Sequence, residues 1–288
     1  LFHRADSFRY GCFSRLLPNV RQPGGDDGLA YHTAQCARPD RHSRHVVWQK
    51  PWEVALCSVR ARHEAAKIRG HRVSRCFIDH LLVTAPSLEI GAAFVKDVLG
   101  VAPQTGGEHL RMGTHNRLLR LGDALYLEVI SPNAAVPAPS RPRWFGLDAL
   151  GPSSPPSLSG WVARTTDIQE ALSAATEALG EIEGMNRGAL DWLITIPCDG
   201  SLPLEGAGPA LIEWQTEPHP ASKLEDRGLS LARLELLHPD PERVSRLLFS
   251  LQIAGPVTVS PLPTGSTPLL IAHINTPQGL RLLSALQS

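Results

Sequence analysis

Long apolar stretches are missing from this sequence. No run approaches the roughly 20 residues that a membrane-crossing helix needs. Cysteine is scarce and odd in number, five in 288 residues with no CxxC pair, which speaks against a disulfide framework or a zinc ribbon. The familiar catalytic signatures are missing too. No GxGxxG follows a strand, and there is no phosphate loop and no GxSxG elbow, so no nucleotide cofactor is expected. His63-Glu64-Ala65-Ala66-Lys67 starts like a zincin helix but lacks the second histidine. A soluble protein in a reducing, cytoplasmic setting is the expectation.

Net charge is also lacking, but the zero hides a split. Residues 1–75 hold 14 Lys and Arg against six acids, and the remainder holds 14 against 22. Four of the five cysteines, Cys12, Cys36, Cys57 and Cys76, fall at or before the same boundary. The basic segment has little periodicity. Its tract Arg38-Pro39-Asp40-Arg41-His42-Ser43-Arg44-His45 lacks the aromatic interleaving and ligand spacing of a nucleic-acid or metal patch. Residues 1–75 are therefore expected to be a disordered extension or translated upstream sequence, and no nucleic-acid or membrane partner is expected.

What is present after residue 75 is a repeat. Phe77–Thr84 is rich in aliphatic and β-branched residues and reads as a strand. Ser87 then caps a helix whose Leu88, Ala92, Val95 and Leu99 share a face, and Gly100 ends it. Eighty residues later the grammar returns: a strand at Gly160–Thr165, a cap at Asp167, an apolar stripe of Ile168, Ala171, Leu172, Ala175 and Leu179, and Gly180 as the stop. Strands follow each helix, Asn116–Leu121 and Leu125–Ile130 in the first unit, Leu190–Ile196 and Ala210–Gln215 in the second. A shorter third copy starts with Leu231–Leu237, continues with a helix capped by Asp240 with Pro241 at its first position, and closes the chain with Leu269–Ile274. This organises the chain into 1–75, a first module at 76–131, a Pro-rich crossover at 132–159, a second module at 160–217 and a third, partial module at 228–288. The crossover region carries seven prolines, and its apolar Trp144-Phe145-Gly146-Leu147 is expected to dock on the scaffold or to wall a cup.

In this order, Ile78-Asp79-His80-Leu81, Met112 to Leu119, Tyr126-Leu127-Glu128-Val129-Ile130 and Pro142 to Asp148 resemble the vicinal oxygen chelate superfamily, specifically its glyoxalase-like branch. Leu211-Ile212-Glu213-Trp214 and His219-Pro220 add to the likeness, which covers about 77–283. The resemblance implies an α+β fold of repeated βαβββ modules whose curled mixed sheets form a cup, with metal ligands on the first and last strands of the modules in metal-using members. It also implies a bacterial, cytoplasmic protein with a small-molecule ligand or substrate; a homodimer is allowed. Activity is far less specified, because members range from lyases and isomerases to proteins that only bind drugs.

Alternation puts His80 on one face with Ile78 and Leu82, and Glu128 on one face with Tyr126 and Ile130. A carboxylate within an apolar strand needs a cation, a donor or water. A divalent metal (Zn, Fe, Mn or Ni) held by His80, Glu128 and Glu213 would meet that need. The offset of 80 maps His80 onto Gly160, so the second unit supplies no matching imidazole. Glu213, mid-strand like Glu128, is read as its counterpart and as a catalytic base, with His115 a second catalytic candidate. Asn116, Trp144, Arg187, Trp192 and His219 are candidate substrate-binding residues. Two functions follow: a metal-dependent lyase or isomerase, or a metal-free protein that binds a small aromatic or amphipathic ligand.

Overall fold

The computed structural model describes residues 75–285. The expectations for residues 1–74 lie outside the described residues.

The first βαβββ unit consists of β1 (Cys76–Thr84), α1 (Leu88–Leu99), β2 (Gln104–His109), β3 (Thr114–Gly122) and β4 (Leu125–Pro132). The second repeats the order with β5 (Ser157–Arg164), α2 (Ile168–Ala174), β6 (Glu181–Arg187), β7 (Leu190–Ile196) and β8 (Ala210–Trp214). Local chemistry explains the helix starts. Ser87 Oγ accepts from Ile90 N, and Asp167 Oδ1 accepts from Glu170 N, so each cap satisfies an N–H that has no partner within its helix. Gly100 ends α1 at φ 76°, in the left-handed region glycine favours. The second stripe predicts a helix to Leu179, but α2 stops at Ala174. Leu179 is still fully buried, so the stripe reports burial rather than helix length.

The strands form one curled sheet in the order β2-β3-β4-β1-β5-β8-β7-β6, with β10 (Ile253–Ala254) added in parallel beside the start of β1. The first strands of the two units, β1 and β5, pair antiparallel at the centre. Curling brings the outer strands β2 and β6 together, but they do not form a ladder. Arginines close the seam: Arg111 Nη1 donates to Gly184 O at 2.8 Å, and Arg111 also pairs with Glu183. Leu81, Val83, Leu127, Val129, Trp161, Ala163 and Leu211 pack on the outer, helix-bearing face. Leu82, Ile130, Val162, Ile194, Ala210 and Ile212 point into the cup.

The third unit is a separate four-stranded sheet, β11-β9-β12-β13. It contains β9 (Ser230–His238), α3 (Pro241–Ser250), β11 (Val257–Pro261), β12 (Leu269–Thr276) and β13 (Gly279–Ser284). Asp240 caps α3 by accepting from Arg243 N at 3.0 Å. The expected closing strand is β12, but the chain continues through a turn into β13. Leu234, Leu236, Ala272, Ile274 and Leu283 join the same core as the helix-bearing face of the large sheet.

Candidate functional site

A bulge in β1 builds the floor of the cup. Ile78 faces Ala163 and His80 faces Val162, leaving Asp79 as the extra residue. The bulge overrides simple alternation. Ile78 turns to the helix-bearing core, whereas Asp79 and His80 both enter one buried polar network. Asp79 Oδ1 accepts from His80 Nδ1 at 2.7 Å, and Oδ2 accepts from Trp214 Nε1 and His219 Nε2, each at 2.9 Å. His219 Nδ1 accepts from Ala221 N, which fixes its proton on Nε2. Burial by itself would raise the Asp79 pKa, but hydrogen bonds from His219 and His80, with their charge, hold it well below the usual carboxylate range.

With Asp79 taking the Nδ1 proton, His80 presents Nε2 to Glu128 Oε2 at 3.3 Å. A hydrogen bond between the two atoms requires a proton on one of them. Glu128 Oε1 accepts from Asn116 Nδ2 at 2.6 Å. Asn116 Oδ1 in turn accepts from Gly107 N at 2.8 Å and Arg187 Nη1 at 3.2 Å, which orients the amide. Tyr126 stacks on His80 with centroids 4.6 Å apart, and burial holds its phenol well above the ordinary value.

Above this network lies His109, the last residue of β2, whose role the sequence does not suggest. Arg187 Nη1 approaches its Nε2 at 3.1 Å; a guanidinium only donates, so Nε2 accepts and Nδ1–H donates to Thr114 Oγ1 at 3.1 Å. Burial, reinforced by the Arg187 charge, lowers the His109 pKa to about 3, so the ring is neutral. A pair of glycines makes room for this arrangement. A Cβ at Gly106 would lie 2.0 Å from Asn116 Oδ1, and one at Gly107 would lie 2.9 Å from Arg187 Cδ.

Two cavities meet here. The inner chamber, about 30 Å³, is lined by His80, Glu128, Asn116, Tyr126, Ile194, Ile212 and Trp214. The outer cavity, about 490 Å³, opens at the seam between Glu108–Arg111 and Gly184–Gly188. His109, Trp144, Arg187 and Trp192 belong to both. The crossover cluster thus packs against the scaffold and walls the cup at once. Phe145 and Gly146 take left-handed φ of 59° and 68° to seat it, held by Gly146 N donating to Gly200 O at 2.8 Å and by Arg143 on Asp148. The indole N–H of buried Trp144 has no acceptor among the described residues, an arrangement that costs about 1–3 kcal/mol unless a ligand supplies one.

Of the sequence candidates, His80, Glu128, Asn116, Trp144, Arg187 and Trp192 gather around these cavities. His219 serves Asp79 from behind and lines neither cavity. His115 lines neither as well, because Asn116 beside it takes the cup face. The largest correction concerns Glu213. Leu82 pairs with Glu128, and its repeat counterpart Val162 pairs with Ala210, so Ala210 occupies the position of Glu128. Glu213 sits on the opposite face of β8, where it accepts from Ile168 N at 2.8 Å and caps α2. Asp79 and His109 are the residues sequence reading passes over. The bulge hides the first, and β2 lacks the alternation that would announce the second.

A divalent metal, which the resemblance implies, does not fit this donor set. His80 and Glu128 are the two donors in place. Gly160 and Ala210 occupy the matching positions of the second unit, and Leu202 fills the space beside Gly160. Among the described residues no three His, Cys, Asp or Glu side chains form a metal-holding group. The fixed cation of Arg187 already borders the chamber.

The fold and the cup define a protein built from fused βαβββ units around a shared pocket. Within that class the chain belongs to the glyoxalase-like domain family, whose model matches residues 78–251. Its backbone is similar to a hypothetical protein from Staphylococcus aureus at 13% identity and a TM-score of 0.46, covering 65% of this chain and 86% of that one. A Streptomyces coelicolor methylmalonyl-CoA epimerase variant in complex with 2-nitronate-propionyl-CoA aligns at 15% identity and 0.34, covering 48% and 97%. Methylmalonyl-CoA epimerase from Mycobacterium tuberculosis aligns at 14% and 0.32, covering 49% and 88%. No curated protein matches the chain. Among the described residues no helix is long and apolar enough to cross a membrane.

Proposed function

We propose that the chain is a small-molecule-binding protein of the glyoxalase-like family whose cup works without a metal. The observation that carries this reading is the half-empty donor set. His80 and Glu128 contact each other, while Gly160, Ala210, Ile194 and Ile212 make the second half of the cup apolar or featureless. The outer cavity of about 490 Å³ lies within the size range of small-molecule sites. The inner chamber, about 30 Å³, has room for only about two waters. A ligand therefore sits outside the aromatic wall of Trp144 and Trp192, and Glu128 lies behind it.

The test is metal retention. Protein incubated with Zn, Mn, ferrous iron or Ni and then desalted is expected to keep far less than one ion per chain, with His80→Ala and Glu128→Ala no different. Stoichiometric metal that both variants lose would overturn the reading. One observation favours a second reading, a lyase or isomerase that moves protons without a metal: an imidazole nitrogen of His80 and a carboxylate oxygen of Glu128 stand 3.3 Å apart beside the chamber. That reading requires Glu128→Gln to abolish deuterium exchange at an activated carbon of a bound carbonyl compound. Ligand binding with no such exchange would sink it.

A further inference from the structure

The outer cavity contains a cation that no carboxylate of the described residues pairs with. Arg187 comes from the end of β6, crosses the seam and spends one nitrogen, Nη1, on His109 Nε2 and Asn116 Oδ1. Both of those partners are neutral. Among the described residues no carboxylate forms an ion pair with Arg187, whereas its neighbours Arg111, Arg141 and Arg143 are each paired with Glu183 or Asp148. The position is built rather than accidental. A bulge between Thr105 and Glu108 sets Gly106 against Asn116 and Gly107 against Arg187, so closely that a Cβ on either glycine would displace that side chain.

We infer that this cavity is an anion site for a planar aromatic or conjugated monocarboxylate, a conclusion that rests on reading the cup as a metal-free binding site. A guanidinium with its remaining N–H groups free presents a fork that matches a carboxylate. Trp144 and Trp192, which flank His109 with centroids 5.1 and 6.2 Å away, together with Met185 supply an apolar wall for a ring. Glu108 lines the same cavity, and Glu128 lines the chamber behind it. Those two carboxylates disfavour a second negative charge, so the site selects a monoanion over phosphate.

The protein is titrated by calorimetry with benzoate, its neutral isostere benzamide and inorganic phosphate. Benzoate is expected to bind about tenfold or more tightly than either competitor, the effect of one charge-assisted contact. Arg187→Gln should weaken benzoate by at least about tenfold and leave benzamide unchanged. Gly107→Val, which pushes the Arg187 side chain aside, should reproduce that loss, and Arg187→Lys should restore part of it. Melting curves confirm that each variant folds. Equal binding of benzoate and benzamide, or an Arg187→Gln protein that keeps its benzoate affinity, overturns the anion site and leaves the small-molecule reading standing. Phosphate binding as tightly as benzoate overturns the aromatic preference. If none of the three binds, the anion site is overturned, and a broad neutral fragment panel then decides whether the binding reading falls with it.

Discussion

His109 should make the protein acid-sensitive in a way that one substitution removes. Its ring is buried and faces the Arg187 cation, and these hold its pKa at about 3, against an ordinary value of 6.5. Above pH 6.5 the folded and unfolded states are both neutral at this residue. Below it, the unfolded chain takes up a proton that the folded chain refuses, so stability falls as pH falls toward 3. The slope approaches about 1.4 kcal/mol per pH unit, so His109 alone removes about 2.7 kcal/mol between pH 7.5 and 4.5. With an ordinary urea dependence, that loss lowers the denaturation midpoint by about 1 M. Gln at this position can still accept from Arg187 and donate to Thr114 but does not titrate. His109→Gln should therefore lie below the wild type at pH 7.5, from lost packing against Trp144 and Trp192, and close the gap by pH 4.5. Urea denaturation of both proteins across that range is the assay. Parallel curves would refute the argument, because they would mean that His109 titrates alike in the folded and unfolded states.

Two further outcomes follow from the same geometry. Asp79→Ala strands three donors, the buried His80 Nδ1 and the half-buried His219 Nε2 and Trp214 Nε1, and should cost about 3–5 kcal/mol in chemical denaturation; a loss under 1 kcal/mol would show that the network is not formed as described. Glu213→Ala should cost about 1 kcal/mol, because the Ile168 N–H at the start of α2 loses its acceptor, and leave ligand binding unchanged; a binding defect without a stability defect would put Glu213 back in the cup.

The parts of the fold that could be read in advance are those where local chemistry and burial agree. Ser87 and Asp240 cap helices as their spacing suggests, and β3 and β4 pair in one register from Thr114 to Arg120. The edge strands β2 and β6 resisted reading, because Gln104-Thr105-Gly106-Gly107-Glu108-His109 carries a bulge and a half-solvated seam instead of a period of two. The cup followed the same rule. His80 and Glu128 stood out as polar residues in apolar strands. Asp79 did not, since one inserted residue changes the face it shares, and Glu213 misled because a mid-strand glutamate reads alike on either face. Only the pairing of Val162 with Ala210 shows which residue is equivalent to Glu128. The Gly106-Gly107 pair was the available signal for close side-chain approach, and Arg187 is what approaches.

A metal-free cup holds its ligand whether or not divalent ions are present. The most direct measurement compares benzoate titrations of the protein after exhaustive EDTA treatment with titrations after re-supply of zinc or manganese. Equal affinities are the expected result, since the Arg187 fork and the Trp144–Trp192 wall need no ion. Binding that disappears with EDTA and returns with the metal would contradict the central claim.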